Sequence, residues 1–157
     1  MKTLVAYFSA TGTTKRIAEM VAKASKSELF EIKPETPYTP EDLNWQDDKS
    51  RSSVEMKDQP DFRPPMAETT PDISEYDRIY VGFPIWWYKA PTIVNTFFEG
   101  AEWKGKQVAL FATSGSSGID GAWESLKASA PGAVLVAAKR FSSTAFQDEV
   151  DTWVKTM

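Results

Sequence analysis

One stretch near the start of the chain limits its possible folds more than any other: Ser9-Ala10-Thr11-Gly12-Thr13-Thr14. It joins an apolar run, Leu4-Val5-Ala6-Tyr7-Phe8, to a run that places Ile17, Met20, Val21 and Ala24 on one face. The first run reads as a strand buried on both faces, the second as an amphipathic helix beginning near Thr13. The chain therefore opens as strand, tight hydroxyl-rich turn, helix. A helix start presents unpaired N–H groups and the positive end of its dipole. Gly12 lets the backbone come close to a ligand, and Ser9, Thr11, Thr13 and Thr14 crowd hydroxyls into the same turn. The stretch predicts a cradle for a phosphate monoester. The same residues would also serve as a capping cluster closing an ordinary strand-to-helix turn.

The turn is not built for every phosphate. It lacks the G-x-x-x-x-G-K-[ST] of nucleoside triphosphate loops and, with a single glycine, the G-x-G-x-x-G of dinucleotide loops. No lysine lies inside it; Lys15 and Arg16 follow, already on the expected helix. A small terminal phosphate held by hydroxyls and backbone amides fits it best.

Further strands and helices alternate along the chain. Strands are expected at Glu28–Lys33, where charged positions suggest a sheet edge, and at Arg78–Phe83, Gln107–Thr113 and Ala133–Ala138. Helices are expected from Ala90-Pro91-Thr92 to Gly100, over Gly121–Ser129 with Asp120 as cap, and over Thr144–Lys155 with Phe146, Val150, Trp153 and Val154 inward. The fifth strand is more apolar than an exposed edge should be. Between Pro34 and Asp77 lie seven of the ten prolines, which argues against long regular structure. Within this span Thr39 and Pro40 resemble a helix cap and first turn, and Asp48–Asp58 suggests a short helix. A span this long acts as a lid or packs as an irregular crossover; in the second case Tyr38, Leu43, Trp45, Val54 and Met56 cover the sheet.

Two later loops complement the first. Pro84-Ile85-Trp86-Trp87-Tyr88 follows the third strand, and three consecutive aromatic side chains diverge too much to enter one core. At least one faces solvent or a ligand, although a core aromatic pair beside a turn would use the same residues. Thr113-Ser114-Gly115-Ser116-Ser117-Gly118 follows the fourth strand, and its small residues leave backbone groups accessible. A flexible loop leading into a helix would have the same composition.

Together, Ser9–Thr14, Gly82–Tyr88 and Thr113–Gly118 resemble the phosphate loop and the two flavin loops of the flavodoxin family. The likeness spans nearly the whole chain and is strongest to bacterial flavodoxin-like proteins carrying a Tyr38…Asp42-Leu43-Asn44-Trp45 segment. It implies a single domain over 1–157. The fold implied is α/β, a flavodoxin-like doubly wound parallel sheet of five strands in the order 2-1-3-4-5, sandwiched between helices as three α/β/α layers. In that order the winding reverses between strands 1 and 3, and ligands bind at the carboxyl ends of the strands there. The three loops then form one flavin mononucleotide (FMN) site: Ser9, Thr11, Gly12, Thr13 and Thr14 at the phosphate, Pro84, Ile85, Trp86 and Trp87 at the ring, and Thr113, Ser114, Gly115 and Gly118 at its polar edge. A backbone group of the second loop would face flavin N5. Receiver domains share the topology but need an acidic pair after strand 1 and an Asp after strand 3; here stand Tyr7-Phe8-Ser9 and Phe83-Pro84.

Composition narrows the chemistry. The chain has no cysteine and no histidine, so thiolate nucleophiles, disulfides, iron–sulfur clusters and a histidine general base are excluded. Redox chemistry must come from a bound cofactor. A net charge of -4 argues against nucleic acid as partner. No segment is long enough to span a bilayer, so no membrane partner is expected and the default address is the cytoplasm. The resemblance implies electron transfer through FMN to a redox protein partner. The alternative is an NAD(P)H-dependent quinone or flavin reductase taking NAD(P)H and a small acceptor.

Overall fold

The apolar runs become parallel strands: β1 (Thr3–Tyr7), β2 (Glu28–Glu31), β3 (Arg78–Pro84), β4 (Gln107–Thr113) and β5 (Val134–Phe141). The computed structural model describes residues 1–157 and orders the five strands β2-β1-β3-β4-β5. Helices α1 (Thr13–Ser25), α2 (Arg51–Ser53), α3 (Thr92–Glu99), α4 (Ala122–Leu126) and α5 (Gln147–Lys155) complete the chain.

Alternation along β1 sorts the core into two layers. Leu4, Ala6 and Phe8 face a core shared with Phe97 and Phe98 of α3, Leu126 of α4 and Trp103. Val5 and Tyr7 face the opposite core, with Ile17 and Val21 of α1 and Val150 and Trp153 of α5. The expected three-layer α/β/α arrangement is the observed one. Gly82 stands where β3 passes the buried Phe111 ring: a Cβ there would lie 2.1 Å from a ring carbon.

Strand register brings the loops together. Tyr7 pairs with Gly82 and Pro84 with Thr113. The Phe8 amide donates to the Gly82 carbonyl at 2.9 Å and the Ile85 amide to the Thr113 carbonyl at 3.0 Å. The carboxyl ends of β1, β3 and β4 therefore finish side by side.

The proline-rich span is a packed crossover closed at its base. The Glu35 amide donates to the Pro65 carbonyl at 2.9 Å and the Ala67 amide to the Lys33 carbonyl at 2.8 Å. Thr70 and Thr96 hydroxyls donate to Phe97 and Pro64 carbonyls at 2.7 and 2.9 Å, tying the span to α3. Several local expectations differ from what forms. Thr39 and Asp42 exchange side-chain-to-amide hydrogen bonds at 2.9 and 3.2 Å, which hold a single turn and not a helix. The expected Asp48–Asp58 helix starts only at Arg51, where the Ser50 side chain accepts from the Ser53 amide, and runs as α2 and a π-helical turn, Val54–Asp58; it ends at Asp58, as expected, because Pro60 disfavours helical backbone at Gln59. Trp45 does not cover the sheet: it is 66% exposed.

Elsewhere, β2 stops at Glu31 and β5 continues beyond Ala138 to Phe141. As the edge next to β4, β5 leaves Val134 and Val136 exposed. Asp120 caps nothing; Gly121 holds the cap position of α4, which ends in a 3-10 turn over Lys127–Ser129. Phe146 is 78% exposed and not inward, because α5 begins one residue later and Phe146 is extended. No helix is long and apolar enough to cross a membrane.

Candidate functional site

The hydroxyls of the first loop divide into two pairs. The Ser9 oxygen accepts from the Gly12 and Lys15 amides at 3.0 and 3.1 Å, which closes the turn. Gly12 sits at φ 95°, in the left-handed region that favours glycine. Thr14 is buried, its hydroxyl 2.8 Å from that of Thr113, and so binds the first loop to the third. Ser9 and Thr14 thus build the cradle. Thr11 and Thr13 offer the accessible hydroxyls, 3.4 Å apart. The amides of Ala10, Thr11, Thr13 and Thr14 have no acceptor within the protein. The first turn of α1 carries no acidic residue, so nothing there competes with an anion for the helix dipole.

Thr11 and Thr13 form one end of a groove of about 320 Å³. Pro84, Ile85 and Trp86 of the second loop and Thr113, Ser114 and Gly115 of the third form its walls. Trp87 and Gly118 lie outside this lining. Ser143, after β5, completes it; isolated in sequence, it carried no signal. Its position depends on Arg16, which donates to the Ser143 carbonyl and, at 3.1 Å, to that of Ala145. Arg140 likewise holds the third loop, donating to the Ser114 carbonyl at 2.8 Å. Both arginines act across large sequence separations, which local pattern does not reveal.

The second loop is a tight turn. The Trp86 amide donates to the Lys89 carbonyl at 2.9 Å and the Lys89 amide to the Trp86 carbonyl at 3.0 Å. Trp87 and Tyr88 between them have φ values of 49° and 64°, a type I′ arrangement that costs non-glycine residues about 1–2 kcal/mol each. Gly121 backs onto this turn, where a Cβ would lie 2.9 Å from the Tyr88 carbonyl oxygen. The three aromatics diverge as expected. Trp86 packs edge-on against Phe8 and Tyr38, with centroids 5.7 and 5.4 Å away, while Tyr88 is 68% exposed.

Behind Trp86 lies a polar clamp that local sequence pattern did not indicate. The Tyr38 hydroxyl donates to Glu55, and Arg51 Nε donates to the other Glu55 oxygen at 3.0 Å. The Arg51 guanidinium lies 3.8 Å from the Tyr38 ring centroid and donates to the Thr36 carbonyl at 2.7 Å. Burial, reinforced by the hydrogen bond to Glu55, holds the Tyr38 phenol far above its ordinary pKa. The clamp seats the proline-rich span against the second loop. Between them opens a second groove of about 510 Å³, lined by Leu43, Trp45 and Ser52 of the span, by Ile85 through Tyr88, and by Ser116 and Ser117. Ile85 and Trp86 line both grooves. No cluster of side chains suited to a metal ion is present.

A family model described as Flavodoxin matches residues 2–157. A candidate flavoprotein from Bacteroides uniformis is 47% identical, with 98% of this chain and 97% of that one covered and a TM-score of 0.92. A flavoprotein from Lactobacillus acidophilus, solved in complex with FMN, is 26% identical over 98% of each chain, with a TM-score of 0.70. Flavodoxin 1 from Bacillus cereus is 16% identical over 99% of this chain and 94% of its own; its TM-score of 0.59 is a likeness of fold. No curated protein matches the chain.

Proposed function

The chain belongs to the flavodoxin family, and from that premise we propose that it binds FMN in the groove between its three loops and transfers electrons through it. The observation that carries this reading is the first loop: free amides at Ala10, Thr11, Thr13 and Thr14, with the Thr11 and Thr13 hydroxyls, at a helix start free of acidic residues. That donor set fits a terminal phosphate. Trp86, fixed by Phe8 and Tyr38, supplies an apolar wall for a flat ring. The open space around Gly115 leaves backbone groups of the third loop free to meet polar ring atoms. The FMN-bound relative from Lactobacillus acidophilus supports the choice of cofactor.

Bound FMN supplies one- and two-electron transfer. The chain's own residues bind, orient and tune. An apolar aromatic wall and a nearby phosphate both disfavour extra negative charge on the ring, which lowers the potential at which it accepts electrons. With no histidine or cysteine, no side chain is required to act as acid or base. The alternative, reduction of a quinone or flavin with NAD(P)H, is favoured by the second groove, which leaves room beside Trp86 for a small reactant.

The test is a titration of flavin-free protein with FMN and with riboflavin, repeated on Thr11→Ala/Thr13→Ala. A hydrogen bond to a charged group is worth about 1.5–3 kcal/mol, so FMN binding should weaken by at least tenfold and riboflavin binding by less than twofold. Equal losses would make the loop a helix cap only. Steady-state NADPH oxidation with a quinone separates the two readings, since fast turnover would remove the pure carrier.

A further inference from the structure

We infer that Tyr38 is a redox-active tyrosine, which takes a one-electron oxidising equivalent from Trp86 and passes its own proton to Glu55. Every group involved belongs to the chain, so the assignment does not rest on the cofactor reading. A largely buried phenol is oxidised readily under two conditions. An aromatic contact must carry the electron, and a base must take the proton. Of the five tyrosines, Tyr38 and Tyr76 donate to a carboxylate, that of Glu55 and of Glu28. Tyr38 and Tyr80 touch an indole, that of Trp86 at 5.4 Å and of Trp153 at 6.0 Å between centroids. Tyr38 alone meets both conditions. The Tyr80 hydroxyl accepts from Arg78 at 3.5 Å, and a guanidinium is no base.

The surroundings of Tyr38 couple the two transfers. The Arg51 guanidinium, 3.8 Å from the ring centroid, opposes a positive charge on the ring, so the electron leaves together with the proton. Burial and the bond to Glu55 keep the phenol protonated until then. Once Glu55 is neutral, Asp42, 3.9 Å from Arg51, still balances the guanidinium. The two rings open onto different surfaces. Trp86 lines the grooves on either side of the second loop. Tyr38 lines a separate cleft of about 130 Å³, with Phe8, Pro34 and Pro37.

The steps balance as follows. A strong one-electron oxidant in the groove, such as an azidyl or oxygen-centred radical, is reduced by one electron from Trp86, whose N–H proton goes to water. Tyr38 restores the electron and water the proton, because near neutral pH a tyrosine that can shed its proton is oxidised more easily than a tryptophan. The Tyr38 O–H bond breaks, an O–H bond forms at Glu55 Oε1, and a neutral phenoxyl radical remains. A small one-electron reductant at the cleft, such as an ene-diol, returns the electron to Tyr38, and Glu55 returns the proton. Oxidising equivalents cross from groove to cleft and no side chain is consumed.

The experiment is pulse radiolysis of the flavin-free protein with azidyl radicals, which oxidise indoles first. The indolyl and phenoxyl absorption bands are followed in time. The parent should convert indolyl to phenoxyl radical in a phase whose rate is independent of protein concentration and lower in D2O than in H2O. Tyr38→Phe and Trp86→Phe should each remove that phase, and the double variant should do no more than either. Glu55→Gln keeps an acceptor for the hydroxyl but takes no proton, and should slow the phase by about a hundredfold, the scale of a lost general base. Absence of the phase in the parent, its survival in Tyr38→Phe or Trp86→Phe, or a parent-like rate in Glu55→Gln would overturn the inference. So would equal rates in the two solvents, a comparison that needs no variant. Failure of the flavin reading is separately visible in the FMN titration, and the radiolysis result stands without it.

Discussion

Replacing Arg51 with alanine tests whether one buried ion pair holds the proline-rich span in place. Arg51 Nε lies 3.0 Å from Glu55 Oε2, and the two side chains are 22% and 7% exposed. Its second carboxylate neighbour, Asp42, is 3.9 Å away and more open to solvent, so it adds little. The guanidinium also covers the Tyr38 ring at 3.8 Å and binds the Thr36 carbonyl at 2.7 Å. Breaking a buried pair by removing one partner costs about 3–5 kcal/mol, mainly because the other charge stays buried alone. Residual exposure of Arg51 and the remaining Tyr38 hydroxyl bond favour the lower end, about 3 kcal/mol. For a chain of this size that is a fall in Tm of roughly 6–12 °C. Urea unfolding followed by tryptophan fluorescence measures it, and amide exchange over residues 36–58 separates local release from global loss. Arg51→Met/Glu55→Gln should recover most of the stability, since it leaves no lone charge and keeps an acceptor for the Tyr38 hydroxyl. A loss under about 1 kcal/mol in Arg51→Ala, or no recovery in the double variant, would refute the argument.

Gly82→Ala places a methyl group 2.1 Å from the buried Phe111 ring and should cost about 3 kcal/mol, at the upper end of overpacking; a neutral result by urea titration would mean that β3 and β4 separate easily. Tyr88→Asn should stabilise the protein by about 0.5–1 kcal/mol, since asparagine tolerates φ 64° and the exposed ring loses little; destabilisation would show that the turn is not strained. The Tyr38 phenol is raised in the folded state, so the folded protein holds that proton more tightly than the unfolded chain. Its contribution is complete below the ordinary tyrosine pKa of about 10 and is lost as pH rises above it. Stability should therefore fall in alkali, and Tyr38→Phe should fall less steeply; parallel curves would assign the loss to Tyr7 and Tyr76, which are also raised.

Sequence pattern carries furthest where a local rule and the global fold demand the same thing. The run Leu4–Phe8, the helix from Thr13 and the three loops at strand ends were all legible, because period and chain position alone place them. Pattern fails where partners lie far apart in sequence. Phe146 fits an amphipathic period, but its extended backbone turns it out to solvent. Trp45 has the composition of a core residue, yet packing on the sheet face goes to Tyr38, Met66, Ile73 and Tyr76 instead, and Met56, though buried, joins neither core layer.

The sequence by itself determined the alternation of strands and helices and the hydroxyl-rich turn that opens α1. Those follow from hydrophobic period and helix-end chemistry, which act over a few residues. Only the tertiary structure decided which hydroxyls of that turn remain free. Thr14 is taken by Thr113, a partner 99 residues away, while Thr11 and Thr13 face the groove. It also decided that the proline-rich span is a wall and not a loose lid, since Arg51, Glu55 and Tyr38 must meet in space before a buried charge can be satisfied.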